Sequence, residues 1–117
     1  MALEISEKLV DGILVMEITG ALVVGDEANR LRARLRQMLA DGTGQLILDL
    51  SHVIYIDSAG LGAIVAGYTT ARNLGGSLKL AKIQPQFREQ LNVSKLTTIF
   101  EVYPTVEEAL KSFAKSP

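Results

Sequence analysis

Apolar positions fall first in short alternating or unbroken runs and later in stripes at helical spacing, which marks strands and helices along most of the chain. Leu3-Glu4-Ile5-Ser6-Glu7-Lys8-Leu9-Val10 alternates in part, and Ile13-Leu14-Val15-Met16-Glu17-Ile18 follows after Asp11-Gly12. An Asp-Gly pair between two β-type runs predicts a hairpin. Gly20 is expected to break the second run. A helical pattern begins after Gly25-Asp26, with Asp26 as its expected N-cap because a carboxylate there can accept from first-turn amides. Ala28, Leu31, Leu35, Met38 and Leu39 then form one buried stripe, and Asp41-Gly42-Thr43-Gly44 turns the chain.

Gln45-Leu46-Ile47-Leu48-Asp49-Leu50 is a short, nearly continuous apolar run, the pattern of a strand covered on both faces in a parallel sheet. Val53-Ile54-Tyr55-Ile56 leads to Asp57, from which a second helix runs to about Asn73 and stops at Gly75-Gly76. Leu78-Lys79-Leu80-Ala81 is a further strand. Pro85 opens a short helix that buries Phe87 and Leu91. Residues 99–103 read as the last strand. Thr105 and Glu108 have capping-box spacing and start a final helix burying Val106, Ala109, Leu110 and Phe113. A hairpin followed by alternating strands and helices predicts an α/β single domain over residues 1–117. Its mixed sheet should have four or five strands, with helices mainly on one face.

Composition narrows the function. At 117 residues and 48 % hydrophobic, the chain can bury one core and has no room for two. A formal net charge of −1 gives no overall bias toward nucleic acid or an anionic membrane. The absence of cysteine removes disulfides, thiolate metal sites and cysteine nucleophiles together. Glu4, Glu7, Asp11 and Glu17 interrupt the first twenty residues, so no signal peptide is expected, and the apolar run at 61–67 is too short to span a membrane. The expected setting is the cytoplasm.

The informative stretch is Tyr55-Ile56-Asp57-Ser58-Ala59-Gly60-Leu61-Gly62. With Asp57 as N-cap, Ser58 lies in the first turn, where free amides and the helix dipole favour an anion such as a phosphate. The plainer alternative is that Asp57 only caps and Ser58 is an ordinary first-turn residue. Along this helix Leu61, Ile64, Val65 and Tyr68 form the expected buried stripe. Ala59, Ala63, Ala66 and Thr70, flanked by Gly62 and Gly67, form the other face, and no charge stands between Asp57 and Arg72. A bare small-residue face suits a docking surface, unless another part of the domain covers it.

Residues 46–62, Leu-Ile-Leu-Asp-Leu-Ser-His-Val-Ile-Tyr-Ile-Asp-Ser-Ala-Gly-Leu-Gly, resemble the signature of STAS domains, and more narrowly of the stand-alone bacterial anti-sigma factor antagonists. Gly20-Ala21-Leu22, Gly75-Gly76 and the run 99–103 are similar to other family landmarks. The resemblance implies a protein that, unphosphorylated, binds an anti-sigma factor with serine kinase activity and so releases a sigma factor. The kinase then phosphorylates the serine after the motif aspartate, here Ser58, and the complex separates; a PP2C-type phosphatase restores the active form. Asp57 would cap the helix, while Gly60 and Gly62 permit close contact. Ala59 replaces a second hydroxyl found in many members, so Ser58 is the only hydroxyl in the motif. Many members also carry an aspartate soon after the residue matching Leu22. Here the sequence is Val23-Val24-Gly25-Asp26, so that acidic group is displaced to Asp26 or missing.

The remaining features are weaker. Arg30, Arg32, Arg34 and Arg36 give the first helix a basic exterior, either for an acidic partner or as a solvated face. His52, the only histidine, lacks companions for metal binding or a catalytic triad. No Gly-x-Ser-x-Gly elbow or phosphate-binding loop is present. The expected protein is a switch without enzymatic activity, cofactor or metal, and a monomer or weak dimer. Partner contact is expected through Val24, Gly25, Asp26, Ser58, Ala59, Gly60, Gly62, Ala63 and Ala66. The rivals are a scaffold of the same fold, in a signalling or lipid-transport complex, whose Ser58 is never modified, and a small nucleotide-binding or hydrolytic protein.

Overall fold

A computed structural model describes residues 3–114. The Asp11-Gly12 turn joins β1 (Glu4–Val10) to β2 (Ile13–Leu22), with both turn residues at positive φ. Then come α1 (Asp26–Ala40), β3 (Gln45–Ile56), α2 (Ser58–Asn73), β4 (Ser77–Ala81), α3 (Pro85–Val93), a 3₁₀ turn at Leu96–Thr98, β5 (Val102–Tyr103) and α4 (Val106–Ala114). The sheet order is β1-β2-β3-β4-β5; β1 is antiparallel to β2 and the other pairs are parallel.

Side-chain alternation divides the strands between two cores. Leu14, Met16, Ile18, Leu46, Leu48, Leu78 and Leu80 face α1, α2 and α3, where they meet Leu31, Leu35, Ile64, Phe87 and Leu91. Ile13, Val15, Ile47 and Ala81 face the other way and pack on Val106 and Ala109 of α4. This is why β3 is apolar from Leu46 to Leu50, apart from Asp49, without alternation: both of its faces are covered there. The exception on the α4 side of β4 is Lys79. Its ammonium is buried, 2.7 Å from Ser112 Oγ and 4.1 Å from the centre of the Phe113 ring. Thr105 Oγ1 accepts from the Glu108 amide at 3.0 Å, so the expected cap of α4 is present.

Four local expectations need correction. Gly20 does not end β2; the strand continues to Leu22, and Gly20 absorbs a register irregularity at φ 113°. Asp26 is not the cap of α1. Gly25 takes that place at φ 108° and ψ −145°, a conformation that excludes most side chains, and Asp26 becomes the first helical residue with no capping bond. The last strand is only Val102–Tyr103, paired with Leu80 and Ala81 of β4; Phe100, before it, is buried in the core instead of extending the strand.

The fourth correction bears on function. The core-facing side of α2 is Gly60, Ala63, Ile64, Gly67 and Ala71, about a quarter turn from the expected stripe. Leu61, Val65 and Tyr68 are only half-buried at the margin of the core, with Tyr68 edge-on to Phe100 at 5.2 Å. Close approach explains the reversal. A Cβ on Gly60 would lie 2.1 Å from the Leu22 carbonyl oxygen, and one on Gly67 would lie 2.7 Å from Leu35 Cδ1. The small residues seat the helix on the sheet and on α1. Ile64→Ala should therefore cost about 2–5 kcal/mol in urea unfolding. Leu61→Ala should cost clearly less, and equal losses would contradict this orientation.

Candidate functional site

The parallel pair β2 and β3 ends with Leu22 opposite Ile56, which brings the β2–α1 loop beside the start of α2. The Asp57 amide donates to the Leu22 carbonyl at 3.3 Å, and the Asp57 carboxylate then bridges two elements. Its Oδ1 accepts from the Gly60 amide and its Oδ2 from the Val24 amide, both at 2.9 Å. Gly60 must lack a side chain for this, since its Cα lies against the Leu22 backbone. These amide bonds, Gly60 first and Val24 second, hold the Asp57 carboxyl below the ordinary carboxylate range.

Ser58 is the next residue, on the first turn of α2 and exposed. Of the other residues expected to meet a partner, Val24, Gly25 and Asp26 are exposed in the adjoining loop, and Ala59, Gly62 and Ala66 are half-exposed. Gly60 and Ala63 are buried, so they do not form a contact surface; of the small-residue face Ala63 and Gly67 are covered, while Ala59, Gly62, Ala66 and Thr70 stay half-exposed. Asp26 makes no capping bond; the carboxylate that organises this loop is that of Asp57.

Sequence reasoning missed the apolar ground on the other side of Ser58. β3 outruns β4 by several residues, and α3 fills the gap in place of a strand. Gln84 Nε2 donates to the carbonyls of Ser51 and Val53 at 2.9 and 3.0 Å, and Gln90 Nε2 donates to that of Ile56 at 2.8 Å. Between β3 and α3 lies an uncharged groove of about 250 Å³ lined by Ile54, Tyr55, Phe87 and the three glutamines 84, 86 and 90. Gln86 and Gln90 also border a shallower depression that contains Ser58, Leu61, Glu89 and Val93. Ile54, Tyr55 and Val93 are 52 %, 60 % and 78 % exposed, and Val24 is 71 % exposed. Ser58 is thus flanked by apolar side chains on both sides. The adjacent pair Ile54-Tyr55, one of which had to face outward on a strand, was the available signal.

The arginines of α1 do not share one exterior. Arg30 donates to the Leu3 carbonyl, and Arg34 makes a two-pronged bond to the Glu7 carboxylate at 2.5 and 2.6 Å, which lowers the Glu7 pKa. Both tie α1 to the hairpin. Arg32 instead reaches across to α2, beside Gly62. His52 is exposed on β3, near Ser51 Oγ and Glu17, and no group of metal-ligating side chains occurs among the described residues. None of the described helices is long and apolar enough to cross a membrane.

A family model for the STAS domain matches residues 4–109. The chain belongs to the STAS family. Over 104 residues, 89 % of each chain, it is 32 % identical to the protein named "Putative anti-sigma factor antagonist BtrV" of Bordetella bronchiseptica. The crystal structure of a Thermotoga maritima protein, named in the same words with the label tm1081, superposes with a TM-score of 0.87 at 26 % identity, covering 92 % of each chain. The phosphorylated form of the Bacillus cell fate determinant SpoIIAA shares the fold, with a TM-score of 0.75 at 19 % identity over 96 % of this chain and 99 % of that one.

The Asp57 bridge should register as an acid-dependent stability term. A carboxyl whose folded pKa is depressed stabilises fully above the ordinary carboxylate range and loses that contribution as pH falls through and below it. Asp57→Ala should lower the thermal midpoint by several degrees near neutral pH, and the gap to wild type should narrow in strongly acidic buffer. Calorimetry at both conditions checks this; a gap independent of pH would contradict the bridge.

Proposed function

We propose that this STAS domain is an anti-sigma factor antagonist whose partner binding is switched by phosphorylation of Ser58. The observation that carries the reading is the placement of Ser58. Ser58 is exposed, directly follows the Asp57 bridge that holds the start of α2 to the β2–α1 loop, and stands between exposed apolar side chains. Family membership and the names of the relatives support the same reading, and one protein of the same fold, SpoIIAA, has been solved in a phosphorylated form.

In the unmodified state, Ser58, Leu61, Val24, Tyr55 and Val93 contact an anti-sigma factor, which then releases its sigma factor. The partner is itself a serine kinase. It transfers the γ-phosphoryl group of ATP to Ser58 Oγ, the hydroxyl proton passes to a base on the kinase, and ADP leaves. The phosphoserine adds about −1.5 to −2 charges beside the exposed apolar side chains of this surface. Burying that charge against a partner that offers no cation is strongly unfavourable, so the complex separates. A PP2C-type phosphatase hydrolyses the phosphate ester and returns the hydroxyl. The protein acts by binding, in the cytoplasm.

The contact surface differs from the one expected from sequence. Ala63 and Gly60 are replaced by the apolar residues on the α3 side, while the loop at Val24–Asp26 and the half-exposed Ala59, Gly62 and Ala66 remain.

Incubation with anti-sigma kinases of the host and ATP, followed by mass-spectrometric mapping, should place one phosphate on Ser58. Ser58→Asp should bind the anti-sigma factor at least roughly tenfold more weakly, about 1.4 kcal/mol, by calorimetry. Tyr55→Ala should weaken binding without lowering the thermal midpoint. Phosphate mapped to another residue, or unchanged affinity in Ser58→Asp, would overturn the reading.

A further inference from the structure

An anion already occupies the mouth of α2. The Asp57 carboxylate takes the Gly60 amide, and its lowered pKa keeps it charged. A phosphate on Ser58 would therefore arrive beside a carboxylate, with Glu89 across the neighbouring depression as a second negative group. First-turn amides alone do not resolve that crowding. A cation within reach of Ser58 would offset that crowding.

One stands on the facing helix. Arg32 Nη2 lies 3.6 Å from where a Cβ on Gly62 would be, so the guanidinium rests over bare α2 backbone. Gly62 is four residues after Ser58, on the same face of the helix and one turn below it, which separates the two side-chain origins by about 5–6 Å. Among the described residues Arg32 has no hydrogen-bond or ion-pair partner, whereas Arg30 and Arg34 are both engaged with the hairpin. Its side chain is half-buried along α1, so little conformational freedom remains to be lost. Gly62 places no side chain between the guanidinium and the α2 backbone.

We propose that Arg32 is an intramolecular phosphate clamp: its guanidinium, lying over Gly62, pairs with the phosphate of phosphorylated Ser58. The proposal rests on the reading of Ser58 as the modified residue. The two-pronged fork of arginine matches two phosphate oxygens, a geometry a lysine ammonium lacks. Pairing directs the phosphate along the outer face of α2, toward α1 and away from the Asp57 carboxylate. The Val24 and Gly60 bonds of Asp57 then survive modification. The arginine also offsets part of the added charge, which stabilises the phosphorylated state against loss of the group, while the excess negative charge still opposes an apolar partner.

The test uses full-length protein with phosphoserine incorporated at position 58 during translation, so that no kinase is involved and a failure of kinase recognition reads separately. Phosphorus NMR titration should place the second ionisation of the phosphate below its ordinary value of about 6. In R32Q that ionisation should move up by about half a unit or more. R36Q removes an exposed charge elsewhere on the same helix and should leave it at the wild-type value. Equal values in wild type and R32Q, or an equal shift in R36Q, would overturn the clamp. Independently of any variant, the Arg32 side-chain Nε signal should shift and exchange more slowly on going from Ser58 to phosphoserine. An unchanged signal would also overturn it.

Discussion

The site depends on one carboxylate that two separate elements share. Asp57 accepts from Gly60 in its own helix and from Val24 in the β2–α1 loop, so the position of Ser58 relative to that loop is fixed by two short bonds. Neither bond could form if the chain were bulkier at Gly60. The Leu22 carbonyl fills the place where a side chain would go, and it also accepts from the Asp57 amide. Strand β2, strand β3, the loop and helix α2 therefore meet at one point, with the serine hydroxyl just outside it. On the proposed reading, a rigid mount of this kind suits a residue presented to one protein for modification and to another for its removal.

Much of this was legible in the sequence because the signals are local. The Asp11-Gly12 hairpin, the α1 stripe from Ala28 to Leu39, the Thr105 cap, and Asp57 as N-cap of α2 each depend on a few neighbouring residues, and each is where its pattern puts it. The errors arose where distance to a partner decides. Large apolar residues on α2 look like the core side, and small ones look free. Packing at close range inverts that ranking, because only glycine and alanine let the helix settle on Leu22 and Leu35. Gly20 and Gly25 show a related limit. A glycine can mark a break, a bulge within a continuing strand, or a cap with a special φ, and only the surrounding hydrogen bonds distinguish these.

The surface around Ser58 also has a different character from the one composition suggests. The exposed ground is apolar on the α3 side because α3 covers the outer half of β3 with glutamine side chains instead of a strand. That substitution leaves Ile54 and Tyr55 at a rim, continuous with Leu61 and Val93. On the α1 side, two of the four arginines are structural ties to the hairpin and one overlies Gly62. If Ser58 is phosphorylated as proposed, apolar ground on one flank and a cation on the other give the charge two distinct consequences: it opposes an apolar partner, and a neighbouring guanidinium receives it.

On this account modification changes what the surface presents and leaves the scaffold intact. Amide hydrogen exchange in the protein with and without phosphate on Ser58 examines that directly. The Val24 and Gly60 amides should stay equally protected in both forms, with changes confined to the outer face of α2 and the adjacent loop. Loss of protection at both amides on phosphorylation would mean that the Asp57 bridge opens, and that the switch works by rearranging the fold.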